Sequence, residues 1–543
     1  MTLDIQQVLI SDPVDPICSQ ILQNHGISVT YARQWTKERL LQEIQNYEVL
    51  IVRSETKVTD EVLAAATKLR LVGRAGTGLD NVDISAATRR GVLVMNTPGG
   101  NTMSAAEHTC AMIAALSRHI PQACAALKNG VWDRKTYMGN ELHGKTLAIL
   151  GLGRIGREVA IRMQAFGMKT IGYDPVISKE SAAEFKVDKM ELEEIWPLAD
   201  YISVHTPYMP QTHHLINAEA LKRCKSTVRI INIARGGIVD EAALLDALIS
   251  DRCKGAALDV FVQEPPKEGT TTWQLIQHPR VVCTPHLGAS TVEAQERVAR
   301  EIAEQLIDLA EGRQAVGIAN APNLARSMVE RNKPWMQLAQ ALGYLANSLA
   351  EGSLHRRPAE AETNVELICC GEGTEDVNLL ASSALVGHLN GMKANGINII
   401  NAAILARDAG LVTSARHISS PKDLSLREDL DKLLQLTVTR DSYSIHLIGS
   451  VQGGNPVLYA INDCWFPFGA TLSGNVLLFN GKQPDTTLTA LVGALATSSV
   501  GVSALMCTRP GTSCWLALRT GETFQNPQQF NGPDATFIAQ LVF

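Results

Sequence analysis

Short apolar runs alternate with amphipathic stretches through roughly the first half of the chain. Before position 98, runs rich in β-branched residues and ending in polar or glycine residues occur at Val8 to Ser11, Val49 to Val52, Leu71 to Gly73 and Val92 to Met95. Helical periodicity between them is typical of a parallel sheet with both faces covered. A second series is predicted at Thr146 to Leu150, Lys169 to Tyr173, Tyr201 to Val204, Val228 to Ile233, Ala256 to Phe261 and Val281 to Cys283. The pattern therefore predicts two successive α/β units.

Two long amphipathic helices bracket the second series. The first begins at Asn101, and the second opens at Ser290-Thr291-Val292-Glu293, which has the spacing of a capping box. Beyond Ala321-Pro322 the pattern changes to a helix, Trp335 to Ala350, followed by strands and a hairpin signal at Gly453-Gly454-Asn455. From about residue 470 the order is strand, helix, strand, strand. The last third therefore predicts α+β modules, and we find no catalytic cluster in it.

A glycine-rich turn stands between the first strand of the second series and the helix that follows. In Gly151-Leu152-Gly153-Arg154-Ile155-Gly156, the first glycine permits a tight turn, the second admits phosphates to the backbone, and the third lets the helix approach the strand. Asp174 ends the next strand, 18 residues past Gly156. A carboxylate there fits the ribose hydroxyls of NAD and repels the extra phosphate of NADP. We therefore predict NAD as the cofactor.

The position of this turn predicts the domain order. Since such a turn normally opens its domain, the residues before it must fold separately. We expect a Rossmann-type parallel-sheet domain at residues 99–289, inserted into a flavodoxin-like α/β lobe made of residues 1–98 and 290–320. Because the chain passes between the two lobes twice, we expect a cleft between them that can close by a hinge motion. The C-terminal modules are expected at residues 321–469 and 470–543.

Bulk properties limit the function classes. A chain of 543 residues is too long for a single hydrophobic core, so several domains are expected. A content of 45% hydrophobic and 19% charged residues is ordinary for a soluble globular protein. A net charge of −6 argues against nucleic acid or an anionic membrane as a partner. The 11 cysteines form no CxxC pair, so we expect reduced thiols and no metal site. Without a signal pattern or an apolar run of about 18 residues, a cytoplasmic location is predicted.

Three polar residues follow strands of the second unit: Arg235, Glu264 and His286. In open α/β sheets the carboxyl ends of the strands frame the ligand crevice. Arginine can hold a carboxylate with its planar fork, and histidine can take a hydroxyl proton near neutral pH. A glutamate beside the imidazole would fix its tautomer. These residue types are those needed for hydride transfer to or from a 2-hydroxy acid.

Basic residues elsewhere indicate an anionic substrate. Arg53 and Arg74 follow strands of the outer lobe, with Ser54 and Gly76 beside them, and Arg134 lies in Trp132-Asp133-Arg134-Lys135. Several cations are expected beside Arg235 if the substrate carries a phosphate as well as a carboxylate. Arg134 can equally be read as a solvated surface residue.

From Arg53 to about Gly312 the chain resembles the D-isomer-specific 2-hydroxyacid dehydrogenases. The resemblance rests on Arg53-Ser54-Glu55-Thr56, GRAGTGLDNVD from Gly73, NTPGGNTMSAAEHT from Asn96, the glycine turn, HTP, ARGGIVDE, ALDVF with EPP, and TPHLGAS. The resemblance implies a two-lobed fold and NAD as the cofactor. It also implies that Arg235, Glu264 and His286 are the catalytic residues. Cofactor contacts are implied, in addition to the glycines of the turn, Arg235 and His286, at Thr77, Arg154, Ile155, Asp174, Thr206, Ala234, Asp259 and Gly288. Asp259 is expected to face the nicotinamide amide.

Within that family the chain is most similar to members that oxidise 3-phosphoglycerate to 3-phosphohydroxypyruvate, the first step of serine synthesis. The resemblance implies a homodimer or homotetramer, with Arg134 reaching the neighbouring subunit. Members of this length carry an intervening domain and an ACT-like module. The loop Gly481-Lys482-Gln483-Pro484-Asp485 lacks the aspartate-then-proline-glycine arrangement of serine-sensing modules, so an assembly role is as well supported as feedback by serine.

Two alternatives stay open at this stage. The substrate could be another 2-hydroxy acid, such as glycerate or 2-hydroxyglutarate. The chain could also be a dinucleotide-sensing interaction protein like the C-terminal-binding corepressors, which use the same fold and carry an Arg/Glu/His set. The GRAGTGLDNVD segment with its basic surroundings and the structured C-terminal third weigh against the second alternative.

Overall fold

The computed structural model describes residues 4–32, 35–314, 316–354, 362–392, 396–420, 430–441, 443–482, 484–496, 501–508, 513–531 and 535–543. The chain packs into two compact units. The first comprises Met1–Val14, Cys18–Asn96 and Ile302–Phe543, and the second comprises Asp15–Ile17 and Thr97–Glu301. None of the helices in the described part of the chain combines the length and apolar character needed to cross a membrane.

The N-terminal part of the first unit is a five-stranded parallel sheet in the order β2-β1-β3-β4-β5. Its strands are β1 Gln7–Ile10, β2 Ser28–Tyr31, β3 Val49–Val52, β4 Leu71–Arg74 and β5 Leu93–Asn96. Its helices are α1 Ile17–Asn24, α2 Lys37–Glu43, α3 Asp60–Ala65 and α4 Ile84–Arg89, with a 3-10 turn at Ile44–Asn46. This strand order is that of flavodoxin-like folds, as predicted. The edge strand β2 was not predicted, because none of its side chains is fully buried and its sequence shows no apolar run.

The second unit is built on a seven-stranded parallel sheet in the order β12-β11-β10-β9-β6-β7-β8. Its strands are β6 Thr146–Leu150, β7 Lys169–Tyr173, β8 Asp188–Lys189, β9 Tyr201–Val204, β10 Arg229–Asn232, β11 Gly255–Leu258 and β12 Val281–Cys283. Its helices are α5 Thr102–Arg118, α6 Ile120–Lys128, α7 Arg154–Ala165, α8 Lys179–Ala183, α9 Leu192–Ile195, α10 Ala218–Arg223, α11 Glu241–Ile249, α12 Thr271–Gln277 and α13 Val292–Ala310, the last continuing into the first unit. The order reverses between β6 and β9, which is the switch point where Rossmann-type sheets bind ligands.

The start of α13 corrects one prediction. The capping box at Ser290 and Glu293 does not form, because the backbone N–H of Ser290 donates to the carbonyl of Leu287 at 2.8 Å. Thr291 caps the helix instead, and its Oγ1 accepts a hydrogen bond from the N–H of Ala294 at 3.1 Å. The serine is held by the turn that precedes the helix, so the cap lies one residue later than the pattern suggested.

The rest of the first unit is rich in antiparallel sheet. Its helices are α14 Leu324–Ser327, α15 Lys333–Leu354, α16 Val377–Gly391, α17 Ala402–Asp408 and α18 Pro484–Ala496, with 3-10 turns at Glu330–Asn332 and Pro527–Phe530. Its strands are β13 Thr363–Cys370, β14 Leu411–Ile418, β15 Leu433–Arg440, β16 Tyr443–Gln452, β17 Asn455–Ile461, β18 Cys464–Thr471, β19 Asn475–Gly481, β20 Val502–Cys507, β21 Cys514–Thr520 and β22 Thr536–Val542. They form sheets in the orders β14-β13-β15-β16-β17-β18 and β20-β21-β19-β22.

These C-terminal elements share a core. Side chains of α15 and α16 and of both sheets belong to one buried apolar cluster, which includes Leu338, Leu342 and Leu478. The predicted hairpin at Gly453-Gly454 is the β16–β17 connection. The predicted fold class, a Rossmann-type parallel sheet and a flavodoxin-like α/β lobe followed by C-terminal α+β domains, is confirmed. The four predicted domain boundaries stay predictions. Gln483 of the loop after β19 lies outside the described residues.

Helix α4 is in contact with α17 and with the segment that leads into it, and all three belong to the first unit. Arg89 forms an ion pair with Asp408. The Nδ2 groups of Asn398 and Asn401 donate to the carbonyls of Gly91 and Arg89 at 3.0 and 3.3 Å. The C-terminal end of α4 is thus held by hydrogen bonds from the C-terminal part of the chain.

Candidate active site

The glycine turn after β6 has the backbone geometry that its sequence requires. Gly151 has φ +100°, and a Cβ there would lie 2.7 Å from the carbonyl carbon of His205. A Cβ at Gly156 would collide with the carbonyl of Gly151. Gly153 is different, because a Cβ there would meet no atom within 4 Å. The outer glycines are therefore needed for packing, and the middle one borders open space.

The N-terminus of α7 points its backbone into this open space. The first N–H groups of a helix, which here begin with Arg154 and Ile155, have no partners within the helix. No side chain at Gly153 caps them, so they can bind a ligand. The side chain of Arg154 is exposed. Such a helix end attracts anions, and a pyrophosphate is the anion that it holds in Rossmann-type domains.

Asp174 lies directly after β7 and is fixed beside the turn. Its Oδ2 accepts from the N–H of Leu152 at 2.8 Å, and its Oδ1 accepts from Val176 and Ile177 at 2.8 and 3.1 Å. After β9, the Oγ1 of Thr206 is buried and has no hydrogen-bond partner among the described residues. Since a buried hydroxyl without a partner is costly, it points to a polar ligand atom at this position. The residues present thus fit a bound dinucleotide.

Glu264 and His286 are in direct contact. The Nδ1 of His286 lies 2.8 Å from Oε2 of Glu264, and Oε1 of the same carboxylate accepts from the N–H of Phe261 at 2.9 Å. Partial burial alone would raise the pKa of Glu264, but the hydrogen bonds from His286 and Phe261, together with the charges of His286 and Arg235, hold it below its usual value. Glu264 is therefore ionised at neutral pH, which leaves Nε2 as the ring nitrogen of His286 that is available to a substrate.

Arg235 follows β10 in a loop that is fixed by its neighbours. Asn232, the last residue of β10, donates from Nδ2 to the carbonyl of Arg235 at 2.7 Å and accepts from the N–H of Ala234 at 3.1 Å. A side chain at Gly236 would collide with the carbonyl of Phe261. The loops after β10 and β11 can therefore pack closely, and this brings the half-buried Arg235 to the same sheet edge as Glu264 and His286.

Asp259 has a role that the sequence did not reveal. It is wholly buried directly after β11, and its carboxylate accepts from Thr284 Oγ1 at 2.5 Å and from the N–H groups of Leu287 and Gly288 at 2.8 Å each. Burial acts to raise its pKa, but hydrogen bonds from His108, Thr284 and Leu287 lower it overall. Asp259 therefore holds the loop that carries His286. Contact with the nicotinamide amide stays a prediction.

Two other histidines serve the scaffold. His108 Nε2 lies 3.1 Å from Thr284 Oγ1 and 3.3 Å from Asp259 Oδ1. His205 has its Nε2 2.8 Å from Ser203 Oγ, and burial lowers its pKa to about 4. His205 is thus neutral at physiological pH and is bound within the chain.

A cavity of about 460 Å³ adjoins the Glu264–His286 pair. Apart from these two residues its walls are mostly apolar, and they include Phe261, Pro265, Pro266, Trp273, Ile276, Cys283 and Pro285. The Glu264–His286 pair thus has apolar side chains beside it, although the side chains of the pair remain partly open to solvent.

The predicted anion-binding residues of the outer lobe belong to the first unit. Arg53 follows β3 and is half-buried. Burial lowers the pKa of its guanidinium, and its Nε is buried with no hydrogen-bond partner among the described residues. Arg74 is the last residue of β4, and its guanidinium lies against Gly76, where a Cβ would collide with it. Ser54 is exposed, and the carbonyl of Thr77 accepts from Asn96 Nδ2 at 2.6 Å.

Arg134 lies in an exposed turn after α6, in the second unit. The turn is closed by Asp133, whose Oδ1 accepts from the N–H groups of Lys135 and Thr136 at 2.9 and 3.1 Å. The neighbouring Trp132 is 78% exposed. Among the described residues, no cluster of His, Cys, Asp and Glu side chains is arranged to hold a metal ion.

Family comparisons place this sheet and its site in a class of enzymes. The sequence model of the D-isomer specific 2-hydroxyacid dehydrogenase NAD binding domain matches residues 110–288, and that of the D-3-phosphoglycerate dehydrogenase intervening domain matches residues 331–462. The structure is similar to the TT0316 protein of Thermus thermophilus, with a TM-score of 0.53 and 32% identity over 58% of this chain and 100% of that one. It is also similar to D-lactate dehydrogenase of Aquifex aeolicus complexed with NAD and lactic acid, with a TM-score of 0.51 and 29% identity over 56% and 96% of the two chains. The class defined by fold and site is that of the D-isomer specific 2-hydroxyacid dehydrogenases.

Curated relatives narrow the class. D-3-phosphoglycerate dehydrogenase of Rattus norvegicus is 47% identical over 503 residues, which cover 92% of this chain and 91% of the relative, and the Homo sapiens enzyme gives the same values. The enzyme of Methanocaldococcus jannaschii is 39% identical over 84% of each chain. The chain belongs to the D-3-phosphoglycerate dehydrogenase family. The resemblance on which the sequence analysis relied is thus confirmed.

Proposed function

We propose that the chain catalyses the NAD-dependent oxidation of 3-phosphoglycerate to 3-phosphohydroxypyruvate, the first step of the phosphorylated route to L-serine. The observation that carries this proposal is the 2.8 Å contact between His286 Nδ1 and Glu264 Oε2, at the sheet edge that also holds Arg235. The activities named for relatives at 39–47% identity supply the substrate. The enzymes named among these relatives, and the match to the D-3-phosphoglycerate dehydrogenase intervening domain at residues 331–462, favour the enzyme over the corepressor-like alternative.

Arg235, Glu264 and His286 divide the chemistry. The guanidinium of Arg235 binds the substrate carboxylate and fixes the hydroxyl-bearing carbon. His286 Nε2 accepts the hydroxyl proton while the hydrogen on the same carbon leaves as hydride, and the C–O bond becomes a carbonyl. Bound NAD supplies the hydride acceptor. Glu264 stabilises the imidazolium that forms and keeps Nε2 directed at the substrate.

The cofactor is held mainly by backbone and side-chain groups that follow the strands of the seven-stranded sheet. The pyrophosphate lies on the glycine turn and the first N–H groups of α7, and Asp174 binds the ribose hydroxyls. The proposed contacts are Thr77, Gly151, Gly153, Arg154, Ile155, Gly156, Asp174, Thr206, Ala234, Arg235, Asp259, His286 and Gly288.

The substrate phosphate is bound by cations of the outer lobe. Arg53 and Arg74 provide the charge, and Ser54 and the backbone at Gly76 provide further donors. Arg134 contributes from a neighbouring subunit, which requires a homodimer or homotetramer. We further propose that the enzyme acts in the cytoplasm.

Initial rates with the purified full-length chain test this function. With 3-phosphoglycerate and NAD at alkaline pH, we expect NADH to appear by absorbance. Turnover of glycerate or 2-hydroxyglutarate without turnover of 3-phosphoglycerate would overturn the substrate assignment. Tight NAD binding with no turnover of any of these acids would instead support the dinucleotide-sensing alternative.

A further inference from the structure

Asn81 lies between the two arginines of the outer lobe and is hydrogen-bonded to both segments. Its Nδ2 donates to the carbonyls of Arg53 and Thr56 at 2.7 Å each. Its Oδ1 accepts from Nε of Arg74 at 3.1 Å. An asparagine amide has two N–H donors, so this side chain uses both of them on the Arg53 loop while its oxygen holds the arginine.

The loop from Arg53 to Thr56 is held from both sides. Its carbonyls go to Asn81, and its N–H groups go to the buried Asp12, whose Oδ2 accepts from Arg53 at 2.6 Å and from Glu55 at 3.2 Å, and whose Oδ1 accepts from Thr56 at 3.1 Å. The carboxylate of Asp12 thus contacts only this loop of the pair of loops, whereas the side chain of Asn81 contacts both this loop and Arg74. The side chain of Asn81 therefore joins the loop after β3 to Arg74, in addition to the backbone bridge between Val58 and Val82.

The place of Arg74 depends on this contact and on Gly76. The guanidinium occupies the space in which a Cβ of Gly76 would stand, so the glycine leaves room for it. Since Nε of Arg74 donates to Oδ1 of Asn81, one edge of the guanidinium is hydrogen-bonded within the chain, and this contact restrains the orientation of the group.

We propose that Asn81 is a positioning residue for substrate specificity, which sets Arg53 and Arg74 as one rigid anion-binding pair for the substrate phosphate. This inference rests on the proposed function. Asn81 itself does not touch the substrate and acts through the two arginines. Removal of the Asn81 side chain leaves the charges of Arg53 and Arg74 intact but no longer restrains the position of one arginine relative to the other. Bidentate recognition of a phosphate depends on the positions of the cations as much as on their charge.

Two variants test the hydrogen bonds of Asn81. Asn81→Leu removes the donors and the acceptor together. Asn81→Asp keeps an acceptor for Arg74, places a carboxylate against two backbone carbonyls and introduces a charge that repels the substrate. For Asn81→Leu we expect KM for 3-phosphoglycerate to rise about tenfold to a hundredfold, with kcat and KM for NAD little changed. For Asn81→Asp the rise should be larger.

Asn320 provides a matched control in the same unit. It is also half-buried and makes three hydrogen bonds: its Nδ2 donates to Thr88 Oγ1 at 3.1 Å and to the carbonyl of Val92 at 2.8 Å, and its Oδ1 accepts from the N–H of Val94 at 2.9 Å. None of these partners is an arginine of the pair. Asn320→Leu should lower Tm about as much as Asn81→Leu does, while KM for 3-phosphoglycerate stays near the wild-type value.

A mutant cycle separates positioning from general damage. If Asn81 acts through the two arginines, Asn81→Leu should lower kcat/KM in the wild-type background and have little further effect in an Arg53→Ala/Arg74→Ala background. Equal effects of Asn81→Leu in the two backgrounds, or equal KM values for Asn81→Leu and Asn320→Leu, would overturn the inference. Failure of the wild-type enzyme to oxidise 3-phosphoglycerate would instead count against the proposed function.

Discussion

Replacement of Glu264 by glutamine tests the proposed division of labour at the sheet edge. The substitution keeps the size of the side chain and removes its charge. In the wild-type chain, one carboxylate oxygen lies 2.8 Å from His286 Nδ1 and the other accepts from Phe261 at 2.9 Å. Glutamine can still accept one of these hydrogen bonds, but it can no longer stabilise a positive charge on the imidazole by ion pairing.

The magnitude follows from the kind of bond that is lost. A hydrogen bond to a charged group contributes about 1.5–3 kcal/mol, and a barrier change of about 1.36 kcal/mol alters a rate tenfold. The side chains of His286 and Glu264 are 48% and 37% exposed, so solvent weakens the pair and the lower half of this range applies. We therefore expect kcat for 3-phosphoglycerate oxidation to fall about tenfold to fiftyfold, with KM little changed because Arg235 is untouched.

The assay and its control can be matched closely. Glu241 also accepts from a backbone N–H, that of Val262 at 2.7 Å, and from a side chain, Thr272 Oγ1, but it has no contact with His286. Steady-state rates of Glu264→Gln and Glu241→Gln should be measured with ordinary and C2-deuterated 3-phosphoglycerate. The isotope effect on kcat should increase only in Glu264→Gln, as proton and hydride transfer become rate-limiting. An equal loss of kcat in the two variants, or a raised KM at constant kcat, would refute the reasoning.

Four further predictions follow from other contacts. His286→Ala should lower kcat by about a hundredfold to ten-thousandfold while NAD still binds, as measured by fluorescence titration; unchanged turnover would remove histidine from proton transfer. Arg53→Ala should raise KM for 3-phosphoglycerate far more than for an unphosphorylated analogue, and a parallel rise for both would place the phosphate elsewhere. Asp174→Ala should raise KM for NAD and lower KM for NADP, because the repelling carboxylate is gone; an unchanged ratio of the two values would contradict the ribose contact. Asp259→Asn should destabilise the fold by about 1.5–3 kcal/mol at neutral pH. Because folding lowers the pKa of Asp259, its stabilisation is full above the unfolded value near 3.8 and is lost below it, so the Tm difference between wild type and variant should narrow only at more acidic pH.

The sequence predicted the parts of the fold whose signals are local. Strand β6 and the glycine turn could be predicted from the sequence, because a run of apolar residues is followed by glycines that the backbone geometry requires. Strand β14 was missed, since it lies at a sheet edge with most of its side chains exposed and so shows no apolar run. The cap of α13 was misplaced because Ser290 and Glu293 have the right spacing, while the turn that occupies the serine N–H is formed only in the folded chain.

In the site, too, residues with a local sequence signal could be predicted, and residues that act through long-range contacts could not. Arg235, Glu264 and His286 could be proposed from their places after strands, and the contact between Glu264 and His286 supports their grouping. Asp259 and Asn81 form hydrogen bonds with backbone groups that lie 25 to 29 residues away along the chain. Such contacts leave no periodic or spacing signal, because any residue can supply a backbone carbonyl or N–H.

The contacts at the two ends of α4 have a mechanical consequence. The helix begins at Ile84, three residues after Asn81, and Asp83 caps it by accepting from the N–H of Ala86 at 2.9 Å. It ends at the residues that Asn398, Asn401 and Asp408 contact. Helix α4 is less than two turns long, so only this helix separates the segment of Asn81 from the contacts with the C-terminal part of the chain. Loss of the contacts made by Asn398, Asn401 and Asp408 would therefore free one end of a helix whose other end begins beside Asn81.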